Sequence, residues 1–206
     1  MRGLLYFIGI CILSLTACQN NPSPLKGKPK AKPHLTIVCF NGYEITEAKQ
    51  LGRELTAYYG IVVDSIKQDK LPAFTFYKPR GRYLADSILK YLKGYTLKSN
   101  YVLGLCHVDI GHQRGKIKDY GIFGLGYQPG LCAVASDCRI KRSKQVSNYA
   151  TAFLCMNNVV RHELGHNFGL PHCTNKKCLL SAADGSISNI IMGYKTLCQK
   201  CHDTIY

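Results

Sequence analysis

Residues 162–173 read HELGHNFGLPHC, and the spacing inside this stretch decides more than any other part of the chain. His162 and His166 stand four residues apart, slightly more than one helical turn. On a helix both imidazoles therefore project from one face and can share a metal. Glu163 sits beside the first of them, where its carboxylate reaches a water at that metal without ligating it. Gly169 falls three residues after His166, where the helix must stop if the chain is to turn back. Glycine enters left-handed backbone at least cost, Pro171 keeps the helix from resuming, and the turn swings His172 in as a third ligand. Three neutral imidazoles with one open position describe a catalytic zinc site rather than a closed structural one. Five fixed positions of this kind arise by chance in a chain of this size on the order of once in 10^5.

Working outward, Ser147–Phe168 holds few breakers and reads as one long helix, with Ser147 as its expected N-cap. Upstream, His34–Phe40 (HLTIVCF) is an apolar, β-branched run ending at Asn41-Gly42, which predicts a first strand and turn. Thr46–Tyr59 carries Ala48, Leu51, Leu55 and Tyr58 at helical spacing and closes on Gly60. Ile61–Ile66 reads as a second strand and Tyr83–Leu92 as a second helix. Tyr101–Val108 is nearly all apolar and so is expected at the centre of a sheet, with short strands at Gly121–Leu125 and Leu131–Ala135. Strands alternating with helices before a long helix predict an α/β (α+β) layer fold.

Past Gly169 the chain is turn-rich and Cys-rich, with too little periodicity to fold without help. Cys173 and Cys178 follow the third histidine, and Cys198 and Cys201 form a C-x-x-C pair whose short bite suits two thiolates on one tetrahedral metal. A zinc held by all four would close the tail and supply the folding energy its composition lacks. Two disulfides are the rival arrangement. A redox role for Cys198 and Cys201 is a further alternative, and the expected lack of a helix after them argues against it. The five other cysteines of the mature chain, Cys39, Cys106, Cys132, Cys138 and Cys155, are odd in number. Cys39, Cys106 and Cys155 sit in apolar settings that read as core, and Cys132–Cys138 is the nearest pair.

At the other end, residues 1–17 carry one Arg, an apolar run from Leu4 to Leu15 and small residues, which reads as a signal peptide. Leu15-Thr16-Ala17-Cys18 looks like the lipobox of bacterial lipoproteins, with Cys18 lipidated after cleavage. Residues 18–33 hold four prolines and four lysines and read as an extended tether. Residues 34–206 then form a single domain, exported to the bacterial cell envelope and anchored to the membrane by lipid.

The totals take their meaning from this division. The 206 residues carry 27 Lys+Arg against 12 Asp+Glu, a net charge of +15. Five of those cations (Arg2, Lys26, Lys28, Lys30 and Lys32) lie in the leader and tether, leaving 22 against 12, or +10, from His34 onward. No Arg-rich stripe interleaved with aromatics appears, so nucleic acid is not the expected partner. A hydrophobic content of 46% excludes a disordered chain, and no repeat period shows.

The motif from His162 to Cys173, four residues to Cys178, then Cys178-Leu179-Leu180, seventeen residues and Cys198-Gln199-Lys200-Cys201 resembles the archaemetzincins, a branch of the metzincin zinc peptidases. The resemblance is firm over 159–206, softer over 101–136, and rests on element order alone over 34–100. It implies a mostly parallel twisted sheet, a catalytic zinc on His162, His166 and His172 with Glu163 as general base, and a second, structural zinc on Cys173, Cys178, Cys198 and Cys201. A peptide or protein is then the substrate, cleaved by a monomer, with endo- and aminopeptidase activity both open. Leu180 stands where the family has a methionine flooring the catalytic zinc; Met192, with Tyr194 two places on, is the other candidate for that turn. A non-catalytic, zinc-stabilised binding lipoprotein is the alternative function.

Overall fold

The computed structural model describes residues 32–96, 100–191 and 195–205. The signal peptide, Cys18, most of the tether, Met192 and Tyr194 lie outside the described residues.

The first strand, β1 (His34–Phe40), is buried from Leu35 to its end. Leu35, Ile37 and Cys39 point into one core, while Val38 and Phe40 point into another on the opposite face. A run that is apolar except at Thr36, whose hydroxyl bonds to that of Ser65 at 3.2 Å, suits a strand covered on both faces. α1 (Ile45–Tyr59) follows, and Gly60 closes it in left-handed backbone at φ 67°. β2 (Val62–Asp69), β3 (Phe76–Tyr77), β4 (Arg82–Leu84), α2 (Ala85–Leu92), β5 (Asn100–Cys106), β6 (Ile110–Arg114), β7 (Ile117–Ile122), β8 (Gly124–Gly126) and β9 (Cys132–Ser136) come next. The chain ends with α3 (Cys138–Lys141), α4 (Tyr149–Asn167), α5 (Ser188–Ile191) and α6 (Gln199–Ile205).

The main sheet runs β2-β1-β5-β9-β8. Its first four strands are parallel, and β8 lies antiparallel at the edge. The expected α/β architecture with a mostly parallel main sheet and a long helix, α4, is present. β5 is central, as its composition predicts. Gly104 within it leaves room for Phe40, whose ring carbon would stand 2.9 Å from an added Cβ. One face of the sheet packs on α1 and α4, the other on α2.

A second sheet, β3-β4-β6-β7, accounts for the departures from expectation. Arg82–Leu84 pairs with β6 there, so α2 begins at Ala85 rather than Tyr83. The strand expected at Gly121–Leu125 divides at Phe123: Gly121 and Ile122 pair with β6, whereas Gly124 and Leu125 pair with β9. The corner between the sheets is held by charge. Asp109 accepts from Arg82 Nε and Arg139 Nε, each at 2.7 Å, and Arg82 also reaches the Asp119 carbonyl at 2.7 Å.

The long helix starts one residue later than expected. Asn148, not Ser147, caps it: its backbone is extended and its side chain accepts from the Thr151 amide at 2.9 Å. From Cys155 to Asn167 every residue of α4 except His162 is buried. A helix enclosed on nearly all sides needs no amphipathic stripe, and its polar residues are committed to specific partners. Asn158 donates to the Ile190 carbonyl at 3.1 Å and accepts from Arg161 at 2.6 Å.

Candidate metal centre

His162 and His166 share one face of α4, and both are oriented from behind. His162 Nδ1 donates to the Leu179 carbonyl at 2.8 Å, and His166 Nδ1 to the Leu170 carbonyl at 2.7 Å. A carbonyl only accepts, so each ring keeps its proton on Nδ1 and a lone pair on Nε2. The two Nε2 atoms face each other at 3.1 Å. Lone pairs at that distance repel, and a cation between them removes the conflict. Two nitrogens on a tetrahedral zinc stand about 3.3 Å apart, given Zn–N near 2.05 Å. Burial pushes the His162 pKa down to about 3, with the neighbouring His166 adding to the effect. Burial lowers His166 as well. Both rings are thus neutral, the form a metal takes up.

The helix ends where the third histidine requires it. Gly169 adopts φ 93°, its amide donates to the His166 carbonyl at 2.8 Å, and the Leu170 amide reaches back to the Gly165 carbonyl at 3.0 Å. That reversal brings His172, exposed, to ring-centroid distances of 5.4 Å from His162 and 4.8 Å from His166. One nitrogen from each of the three rings lies within 4.8 Å of the others. The donor set fits zinc with an open position.

Glu163 is buried beneath edge strand β8. A Cβ on Gly124 would stand 2.8 Å from its Oε1, and a Cβ on Gly126 would stand 2.5 Å from its backbone carbonyl. These two glycines, two apart and so on the same face of the strand, let β8 lie directly on the helix. Burial pushes the Glu163 pKa up to about 8, with a backbone hydrogen bond from Gly126 acting the other way. A dication at the imidazoles would also favour the carboxylate.

The four tail cysteines come together. Cys173, Cys178, Cys198 and Cys201 place their sulfurs within 4.8 Å of one another, and none of the four is in a disulfide. Cys173 and Cys198 are 3.7 Å apart at sulfur, far beyond the ~2.05 Å of a disulfide. Two sulfurs on a tetrahedral zinc stand about 3.8 Å apart, given Zn–S near 2.3 Å. The amide of Cys198 donates to the Cys178 sulfur at 3.3 Å. The Cys198 pKa is drawn down to about 7, first by a backbone hydrogen bond from Cys201. A helix does follow the C-x-x-C pair, contrary to expectation: α6 begins at Gln199, between the two cysteines. What sets this pair apart from a dithiol is the other two sulfurs beside it.

The two clusters are mechanically joined. His172 and Cys173 are consecutive, and the carbonyl that orients His162 belongs to Leu179, next to Cys178. Leu180 is fully buried under α4, its Cδ2 lying 3.0 Å from where a Cβ on Gly165 would be. The other candidate for that turn, Met192 with Tyr194, lies outside the described residues.

A cavity of about 480 Å³ opens over the histidines. Gly124, Leu125 and Gly126 form one wall, and Leu179 with Ser181–Gly185 another. The β6–β7 hairpin contributes Arg114 and Tyr120. Arg114 pairs with Asp184 at 3.8 Å, and the Tyr120 hydroxyl donates to the Asp184 carbonyl at 3.3 Å. Lys195 also lines the cavity. Burial lowers its pKa, with negative charge at the Cys178 sulfur acting in the opposite direction. Every histidine, the glutamate and all four cysteines singled out by spacing meet at this end of the molecule. Spacing does not find Gly124, Gly126, the carbonyls of Leu170 and Leu179, or Lys195. The spacing of two in Gly124-Leu125-Gly126 is the one signal that could have marked the first two.

Comparison with known proteins comes down on one family. Residues 47–206 match the model of peptidase family M54. The chain is 30% identical over 182 residues to the archaemetzincin of Methanopyrus kandleri, covering 83% of this chain and 94% of that protein. It is 32% identical over 154 residues to the archaemetzincin of Pyrococcus horikoshii, covering 70% and 78%. The crystal structure of the Methanopyrus kandleri protein matches with a TM-score of 0.71 at 27% identity, over 86% of this chain and 96% of that one. A zinc-dependent peptidase from Methanocorpusculum labreanum shares the fold, with a TM-score of 0.70 at 19% identity over 84% of this chain and all of that one.

Proposed function

The chain belongs to peptidase family M54, the archaemetzincins, and is a zinc metallopeptidase acting on peptides; from that premise we propose which of its residues do the work. His162, His166 and His172 hold the catalytic zinc, and Glu163 is the general base. Cys173, Cys178, Cys198 and Cys201 hold a second, structural zinc. The observation that carries the catalytic half is the pair of Nε2 lone pairs facing each other at 3.1 Å, with both Nδ1 protons already committed.

A zinc held by these three imidazoles would supply Lewis acidity, both to a nucleophilic water at neutral pH and to the scissile carbonyl. The remaining steps belong to the chain. Glu163 accepts the proton of the attacking water at a carboxylate oxygen and passes it to the leaving amine. Gly126 holds that carboxylate through its backbone, and Leu170 and Leu179 hold the two imidazoles in the tautomer that presents Nε2. The β8 wall, lying directly on Glu163, keeps bulk water from the base.

The test is hydrolysis of a peptide library by the zinc-loaded chain beside Glu163→Gln. Cleavage by the wild type, with kcat at least about 10²-fold lower in the variant, is expected. Equal cleavage by both would remove Glu163 from the role.

Beyond the site, the sequence supports an architecture of signal peptide (1–17), lipidated Cys18 with its tether (18–33), and a peptidase domain from residue 34 to 206. The protein then sits in the bacterial cell envelope, facing away from the cytoplasm on a lipid anchor. Cys18→Ala in the expressing cell should move the protein from the membrane fraction to the soluble one. Unchanged membrane association would contradict the anchor.

A further inference from the structure

Lys195 is the cation of the substrate cavity that the cavity itself does not balance. Three other charged or chargeable groups on the walls are committed: Arg114 to Asp184 at 3.8 Å, and His112 to Asp86 at 2.8 Å. Glu163 is assigned to the reaction. Lys195 is half-buried, and its Nζ donates to the Ser181 hydroxyl at 3.3 Å, a neutral partner. Among the described residues no carboxylate pairs with it. Its backbone is pinned, since its amide donates to Asn158 Oδ1 at 3.3 Å, on α4 one turn before His162. Lys195 lines the same cavity as His162, Glu163 and His166. The ammonium therefore stands on the cavity wall, near the catalytic end, at a fixed place.

A half-buried ammonium whose hydrogen-bond partner is one neutral hydroxyl has donors left for a ligand, and a carboxylate is the ligand that complements both its charge and its donors. We propose that Lys195 makes this peptidase select peptides carrying a carboxylate close to the scissile bond. This rests on the peptidase site assigned above and names its substrate class. Two sources share the chemistry: an Asp or Glu side chain, and the free C-terminal carboxylate of a short peptide. The balance of +10 from His34 onward acts in the same direction, drawing acidic peptides toward the domain.

One other occupant competes for the lysine. Four thiolates on one zinc carry surplus negative charge, and Cys178 is near enough for its charge to act on Lys195. Were that the lysine's whole role, its loss would weaken zinc retention and leave peptide discrimination untouched.

The experiment is equilibrium binding of fluorescent peptides to the full zinc-loaded chain carrying Glu163→Gln, with and without Lys195→Met. Binding is read even if the assignment of Glu163 as base fails, so the two failures are separable. Peptides come in sets identical except for Glu, Gln or Lys beside the scissile position, all C-terminally amidated. A neutral set compares free with amidated C-termini. A carboxylate-bearing peptide should bind roughly tenfold more tightly than its neutral match. The Lys195→Met ratio should fall to near one, and Lys195→Arg should retain most of it. The set showing the ratio identifies the carboxylate's source. Equal binding of Glu and Gln peptides and of acid and amide, or a ratio unchanged by Lys195→Met, would overturn the proposal. Loss of one zinc from Lys195→Met with no change in ratio would overturn it too, assigning the lysine to the thiolate cluster.

Discussion

Glu163 lies so close under Gly124 that a single methyl group does not fit between them: a Cβ added at residue 124 would stand 2.7 Å from Glu163 Cγ and 2.8 Å from Oε1. The general base of the proposed site is therefore positioned by the absence of a side chain on the neighbouring strand.

Gly124→Ala should consequently act on the reaction rather than on the metal. The added methyl must push the carboxylate aside, and displacement of a catalytic group by about 1 Å costs on the order of 10²-fold in rate. We expect kcat to fall by about that factor while zinc content stays at the wild-type value. Gly126→Ala meets backbone instead, with its Cβ 2.5 Å from the Glu163 carbonyl oxygen. Neither strand nor helix can yield locally, so this variant should lose about 1–3 kcal/mol of stability, measured by denaturant unfolding. Equal effects of the two substitutions on kcat and on stability would contradict the packing described.

The cysteines should divide into two chemical classes. Burial pushes Cys39, Cys132 and Cys155 up to about 11 and Cys106 up to about 12, and raises Cys138 as well. A raised thiol pKa means that the reactive thiolate forms only as pH climbs toward that value, so at pH 8 these five stay protonated and inert. Alkylation of the native chain at pH 8, mapped by peptide mass, should spare them with or without chelator. Of the tail cysteines, Cys198, whose pKa is drawn down to about 7, should be spared only while metal is bound and should label first once it is chelated, whereas Cys178 and Cys201, raised by burial, should follow more slowly. Labelling of Cys39 or Cys106 ahead of Cys198 would contradict this.

Leu180 is fully buried against Gly165, with both its methyl groups within 3.2 Å of where a Cβ there would stand. Leu180→Met conserves volume and should cost less than about 1.5 kcal/mol, whereas Leu180→Ala should cost about 2–5 kcal/mol. Thermal unfolding of the zinc-loaded variants reads the difference. A Leu180→Ala protein as stable as wild type would remove the residue from the floor of the site.

Much of this molecule is written locally. The His162–His172 spacing depends only on helical pitch and one left-handed glycine, so four residues of the site are legible without any knowledge of the sheet. The same holds for β1, whose largely apolar run follows from burial on both faces, and for Gly60 ending α1. The second sheet is different. Its strands are short and partly polar, and what holds its corner is the meeting of Asp109 with Arg82 and Arg139, residues 27 and 30 positions away. No local pattern encodes such a meeting. Lys195 was illegible for the same reason: in sequence it is one more lysine in a basic chain, and only the fold places it on the cavity wall beside the Ser181 hydroxyl. The N-cap shows the resolution of local reading, since Ser147 and Asn148 are both good caps and backbone geometry alone picks the second.

The central claim is that one short stretch of chain builds two metal centres of different kinds, one on three imidazoles and one on four thiolates. Zinc content per chain, measured on purified protein by elemental analysis, tests it most directly. Two zinc ions are expected in the wild type, and one in the double variant His162→Ala/His166→Ala, retained on the cysteines. One zinc or none in the wild type, or two in that double variant, would contradict the account.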